Sequence, residues 1–192
     1  MKYISLFTLL FLLVSCNQDH ENLIAKNQLG QLDNTTKIHE IKSVLKSDSV
    51  ELVYATTPYG KIIKSTIKRV LVYDTTGQQI LNLKPSKALD SLSNISNIRI
   101  LSKQYKTKNG INLGSSFADI KKYHDISNIQ SSPRSIVISL KDLNASISFD
   151  RSVLPGDIQF DREAEIKPTM IPDDAKINRF WLYFSAQKDV DE

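Results

Sequence analysis

Three histidines, one cysteine and 21 acidic side chains are the groups in this 192-residue chain that could hold a metal or move a proton. His20, His39 and His124 stand far apart, with neither a His-x-x-x-His nor a His-Glu-x-x-His spacing. A metal site would need ligands converging from separate elements, so none is expected, and His39 and His124 are expected as exposed helix residues. Ser115 and Ser116 follow Gly114, but a serine nucleophile needs a base and an orienting group, and the Gly-x-Ser-x-Gly elbow is absent. Helix capping accounts for both hydroxyls. Asp161, Glu163, Glu165, Asp173 and Asp174 have the chemistry to flank a glycosidic bond. Pro168 and Pro172 mark that segment as loop, and Phe160 is its single aromatic platform. No phosphate loop or dinucleotide fingerprint occurs. The expectation is a protein without catalytic residues, cofactor or metal.

Cations are the more suggestive set. Lys61, Lys64, Lys68 and Arg69 share one segment, and Arg99, Lys103, Lys106 and Lys108 another. Tyr105 lies among the latter, and Lys121 and Lys122 follow. If Arg99, Lys103, Tyr105, Lys106, Lys108, Lys121 and Lys122 converge, they form a positive face for anionic headgroups or an acidic envelope protein. The formal net charge of +4 is too mild to imply nucleic acid. Hydrophobic residues at 41% and charged residues at 24% describe an ordinary globular chain, and one cysteine cannot close an internal disulfide.

That cysteine sits in the most specific motif of the chain. Lys2 precedes an uncharged, largely apolar run from Tyr3 to Val14. The run is shorter than the roughly 20 residues a membrane span needs, but it fits the core of a secretory signal. It ends in Leu13-Val14-Ser15-Cys16, and polarity changes at once to Asn17-Gln18-Asp19-His20-Glu21. Leu-Val-Ser-Cys resembles the lipobox of bacterial lipoproteins. The resemblance implies a diacylglyceryl group on the Cys16 thiol, removal of residues 1–15 as a signal peptide, and acylation of the new amino terminus. Two acyl chains anchor stably, at roughly 0.8 kcal/mol per buried methylene, and leave no thiol for catalysis or metal binding. Asp19-His20-Glu21 is similar to surface-export signals of Bacteroidetes lipoproteins, and lysine far outnumbers arginine. The implied place is the cell envelope, at the outer membrane, with the periplasmic and surface faces both open.

Beyond the anchor, residues 16–28 are expected as a lipidated tether. Ile38, Ile41, Val44 and Leu45 recur at helical spacing and predict a helix over 36–46. Short strands are expected at 50–55, 62–74 and 78–84, with Asp74-Thr75-Thr76-Gly77 as a hairpin turn. One or two helical turns are expected over 86–92 and a strand over 97–101. Ser115 or Ser116 caps a second helix carrying Phe117, Ile120 and Tyr123. Ile136, Ile138 and Leu140, then Ala145, Ile147 and Phe149, alternate as strands about a turn at 141–144. Residues 151–175 are irregular, and 177–184 close as an apolar strand.

A displacement of 79 residues lays Ile38 on Phe117, Glu40 on Asp119, Ile41 on Ile120 and Val50 on Ile129. The expected fold class is therefore α+β. Helices pack on one face of antiparallel sheet, in two tandem α-β-β-β-like halves, 29–102 and 103–185, before an acidic tail over 186–192. Behind a lipobox, this plan resembles the folds typified by the outer-membrane assembly lipoprotein E and by β-lactamase inhibitory protein. Gly110-Ile111-Asn112-Leu113-Gly114 through Ile120 is similar to a stretch of an uncharacterised enterobacterial lipoprotein domain. These resemblances imply binding or assembly rather than catalysis: a scaffolding module of the envelope. The alternatives are an inhibitor of an envelope enzyme, or a small hydrolase with its site built from scattered residues.

Overall fold

The computed structural model describes residues 21–87, 91–161 and 163–185. Cys16 with the signal peptide over 1–15, and the acidic tail over 186–192, lie outside the described residues, as does part of the helical turn expected over 86–92. The chain is α+β, mostly strand, in two sheets. Three short strands open it: β1 (Leu23–Ala25), β2 (Gln28–Leu29) and β3 (Leu32–Asp33). With β8 (Lys106–Thr107) they form a small sheet in the order β3-β2-β1-β8. Ile24 and Leu29 are buried there, so the segment expected as tether belongs to the fold from Leu23 onward.

The large sheet has eight antiparallel strands made by two four-stranded meanders. The first is β4 (Ser49–Thr56), β5 (Ile62–Tyr73), β6 (Gln79–Pro85) and β7 (Ile95–Ile100). The second is β9 (Ile126–Ser131), β10 (Ser135–Leu140), β11 (Ala145–Asp150) and β12 (Arg179–Tyr183). Each begins at an outer edge and ends in the middle, where β7 pairs with β12. Register follows the alternation of apolar residues. Val70, Leu83, Ile98, Leu182, Ala145 and Leu140 line up across the sheet as one buried row. Val72, Leu81, Ile100, Phe180, Ile147 and Ile138 form a second. Each such side chain contributes about 1.5–3 kcal/mol by leaving water. A slip of one residue would turn both rows to the opposite face, which is why the register is strongly specified.

Each meander is entered through a short helical element. A 3-10 turn (Ile38–Glu40) runs into α1 (Ile41–Val44), and α2 (Phe117–Tyr123) precedes the second meander. The hydrogen bonds that start them recur 79 residues apart. The Asp33 amide donates to Thr36 Oγ1 at 3.0 Å, as the Asn112 amide does to Ser115 Oγ at 3.0 Å. The Lys37 amide donates to Glu40 at 2.9 Å, as the Ser116 amide does to Asp119 at 2.8 Å. Ile38 N–H reaches Ser93 O at 3.0 Å, and Phe117 N–H reaches Ala175 O at 2.9 Å. Ile38, Ile41, Phe117 and Ile120 are all buried, and the Phe117 ring meets Phe149 of β11 edge-on at 5.7 Å.

Strand β9 is an addition to the sequence expectation. Ile126-Ser127-Asn128-Ile129-Gln130-Ser131 has its apolar residues three apart, and an edge strand half in water needs no strict alternation.

Candidate functional site

Between the two buried rows runs a row on the opposite face: Leu71, Asn82, Arg99, Trp181, Ser146 and Ser139. Alternation along each strand puts these side chains away from the core. Leu71, Asn82, Arg99 and Trp181 are half-buried and Ser146 is buried. Arg99 and Trp181 are directly opposite each other at the junction of the meanders, with the guanidinium carbon 5.7 Å from the indole centroid. Such a pair is worth about 0.5–1 kcal/mol where water reaches it, and more where it does not. Arg99 Nε is shielded from water and has no hydrogen-bond partner among the described residues.

Aromatic and hydroxyl groups continue this face. Tyr183 follows Trp181 by two residues, and its hydroxyl lies 2.9 Å from Ser146 Oγ. The Tyr73 hydroxyl donates to Glu51 at 3.0 Å, and that bond to the carboxylate raises the phenol above its ordinary value. Ser148 donates to Asn178 Oδ1 at 3.4 Å. The face therefore offers a stacked cation and indole with further hydroxyls and amides. That inventory can grip a polar partner by stacking and hydrogen bonding.

The cations expected on one face have separate local settings. Arg99 is on the open sheet face. Lys103 is exposed, and its side chain lies so near Gly114 that a β-carbon there would come within 3.0 Å of Lys103 Cε. Lys106 and Lys108 are exposed at and after β8. Lys121 pairs with Asp173 and lies 5.1 Å from the Phe117 ring centroid, while Lys122 lies 4.9 Å from that of Tyr123. Tyr105 is buried, with 4% of its surface exposed, and burial pushes its phenol up to about 12. It is a core residue rather than a member of a surface, because the chain between β7 and β8 turns it inward.

His124 also departs from expectation. It ends α2 as a buried residue, and its Nδ1 lies 2.7 Å from Asp142 in the β10–β11 turn. Nε2 is enclosed and has no partner among the described residues. A base held by a carboxylate is two-thirds of a triad. Here the third group is missing from Nε2, and only 3% of the imidazole is exposed to anything that could enter. Position 79 residues earlier is Leu45, so the ring fills a place that an aliphatic side chain fills in the first meander. His39 is exposed, with Nδ1 3.1 Å from the Ser91 carbonyl oxygen. Among the described residues no group of three or more His, Cys, Asp or Glu is placed to hold a metal ion.

No family model matches the chain, and no curated protein matches its sequence. A solved structure is similar to it: that of the uncharacterised protein YfeY from Escherichia coli, at 16% sequence identity. The alignment covers 84% of this chain and 99% of that one, with a TM-score of 0.48. At that distance nothing about chemistry passes from one chain to the other.

The residue that sequence reasoning missed is Trp181. Its signal was present as the single tryptophan in an apolar strand. The pairing with Arg99, 82 residues earlier, depends on the register of two chain-distant strands.

Proposed function

We propose that this chain is a lipoprotein of the bacterial cell envelope, anchored through Cys16 at the outer membrane, and that it works as a non-enzymatic binding or scaffolding module. In this reading residues 1–15 are removed, and two tandem halves, 29–102 and 103–185, place their helices on one face of the large sheet. The opposite face is then free to meet a partner. The recurrence of the entry hydrogen bonds 79 residues apart supports the two halves. So does the plan of the large sheet, in which each half supplies four strands as a meander running from an outer edge to the middle. The lipobox resemblance supports the anchor.

The observation that carries the binding role is the half-buried Arg99–Trp181 stack at the centre of a polar face. Tryptophan and arginine are the side chains enriched at the centres of protein interfaces, which is what favours a partner on this face. The acylated protein, captured from its own membrane, should retain a species that Arg99→Ala with Trp181→Ala releases, while circular dichroism stays unchanged. Equal capture by both proteins would remove the open face from the function. For the anchor, Cys16→Ala should abolish palmitate labelling and shift the protein out of the membrane fraction. Labelling that persists would defeat that half of the proposal alone.

A further inference from the structure

The first meander carries a feature that the sheet does not need. Strand β6 pairs with β5 only from Val70 to Tyr73; below Val70, Arg69, Ile67, Ile63 and Ile62 are in register with Val53, Tyr54, Ala55 and Thr56 of β4, and the register shifts around Tyr54 leave Lys64, Ser65, Thr66 and Lys68 without a paired residue. The β4–β5 hairpin thus extends past its neighbours as a two-stranded arm, closed by a turn over 57–61 in which Gly60 takes φ 79° and Thr57 N–H bonds Lys61 O at 2.8 Å. The second meander makes the corresponding return, from Ile129 to its partner Ile138, through a short turn at Ser132–Ser135. In the first, Val50 reaches its partner Val72 only by way of the whole arm. A two-stranded ribbon gains little stability by itself, so the arm is not explained by folding.

Its surface is unusual in both charge and polarity. From Leu52 to Tyr73 there are four cations, Lys61, Lys64, Lys68 and Arg69, and no Asp or Glu. All four cations are exposed. At the tip Tyr59 is 98% exposed and Ile62 58%, with Ile63 and Leu52 exposed behind them. Lysines on an edge can serve simply to discourage strand pairing. That role calls for cations only, and bare Ile and Tyr beside them would undo it. The opposite end of the ribbon is acidic: Ser49 pairs with Tyr73, which puts Asp48 and Asp74 together there, with Glu21 acting on Asp48 as well.

We infer that the β4–β5 arm is a contact for an anionic lipid bilayer, with Tyr59 and Ile62 entering the interface and Lys61 and Lys64 meeting headgroups. Tyrosine favours the depth where acyl chain meets headgroup, and lysine stems lie along apolar surface while their ammonium groups stay in water. A purely polar polyanion would satisfy the lysines and leave Ile62 in water. A lipid surface satisfies both. The arm is a contact additional to the anchor proposed above and is testable without it.

The test uses the mature chain from position 16 with Cys16→Ser, which contains every described residue and no acyl group. It is sedimented with vesicles of phosphatidylcholine alone and of equal parts phosphatidylcholine and phosphatidylglycerol. Binding to the anionic vesicles alone is expected. Each cation near such a surface is worth about fivefold in partitioning, so Lys61→Ser with Lys64→Ser should weaken binding by at least about tenfold. Lys106→Ser with Lys108→Ser, on β8 and just beyond it, should leave it unchanged. Tyr59→Trp should add tryptophan emission, beyond that of Trp181 in the parent chain, that brominated acyl chains quench, with circular dichroism reporting an intact fold. No binding to either vesicle, added emission that stays unquenched, or loss of binding through Lys106 and Lys108 instead would overturn the inference. So would a concentration-dependent dimer that Ile62→Ser dissolves in a protein that ignores vesicles. Failure of palmitate labelling at Cys16 would leave the arm untouched, so the two ideas fail separately.

Discussion

The two meanders meet at β7 and β12 with the same plan and differ in where they spend extra chain. The first lengthens its opening hairpin into an exposed arm and crosses from Leu83 to Ile98 by a short link. The second keeps its opening hairpin short and crosses from Ile147 to Phe180 by a long one, through three 3-10 turns. The long link is held by Arg151, 2% exposed. Its Nε donates to Gln159 O at 2.9 Å and its Nη2 to Ile158 O at 3.0 Å. Further bonds reach Asp161 O, Ser132 O and the Ser131 hydroxyl at the edge of the sheet. A guanidinium can be buried without a carboxylate when so many of its donors meet carbonyls. The same sheet thus tolerates one insertion that projects and one that is tied down, and the difference lies in whether a side chain satisfies the inserted backbone.

The largest expected effect tests whether the two helix starts carry equal weight. Phe117→Ala should cost about 3–5 kcal/mol and Ile38→Ala about 2–5 kcal/mol in urea unfolding, since both are core side chains. A cost near zero at either would break the equivalence. Next, Arg151→Met should cost about 2–3 kcal/mol by leaving buried carbonyls unpartnered. Hydrogen exchange should quicken over 151–161 and not over the first meander. Uniform exchange would show that the link is not pinned locally.

A cap comes third. Ser116 Oγ accepts from the Asp119 amide at 3.2 Å, whereas the matching Lys37 has no such oxygen. Ser116→Ala should cost about 1 kcal/mol, and Lys37→Ala should show no comparable cap loss. Acid acts on a carboxylate at each helix start. Bonds from the Ser116 hydroxyl and amide hold Asp119 below its ordinary 3.8. At Asp33 burial raises the carboxyl, but bonds from Thr35 and Thr36 outweigh it and the net shift is also downward. A depressed folded value means the unfolded chain takes up protons first. The stabilisation is complete above about pH 4 and is lost as pH falls through the folded values. Asp119→Asn should therefore flatten the fall of Tm with acid, and an unaltered slope would contradict this. The smallest effect is His124→Leu, which imports the residue at the matching position of the first meander. Asp142 is 40% exposed, so its carboxylate can turn to water when the imidazole goes, and the leucine removes an enclosed, unpartnered Nε2. A loss above about 2 kcal/mol would mean the imidazole has work that Leu45 does not.

Much of this was legible in the chain because it is local. The turn at 74–77 closes on Gly77 at φ 82°, and that at 141–144 closes on Asn144 at φ 52°, two residues that accept left-handed backbone. Alternation located β10 and β11, and Ser115 or Ser116 ahead of Phe117, Ile120 and Tyr123 announced α2, with Ser116 the residue that caps it. What was not legible involves partners distant in sequence. Tyr105 reads as one aromatic among lysines until its burial is known, and His124 reads as a surface residue until Asp142 is beside it. Residues 16–28 read as tether, although Leu23-Ile24-Ala25 is apolar, because strands of two or three residues carry no periodic signal and β1 also needs the distant β8 as a neighbour.

The order of amino acids by itself determined the alternation, the Ser116 cap and the turns, since each depends on side chains within a few residues of one another. Only the tertiary structure decided that Arg99 meets Trp181, that one insertion projects and the other is pinned, and which polar groups lie inside. Those outcomes depend on strand register and enclosure, which arise when segments some eighty residues apart share one sheet.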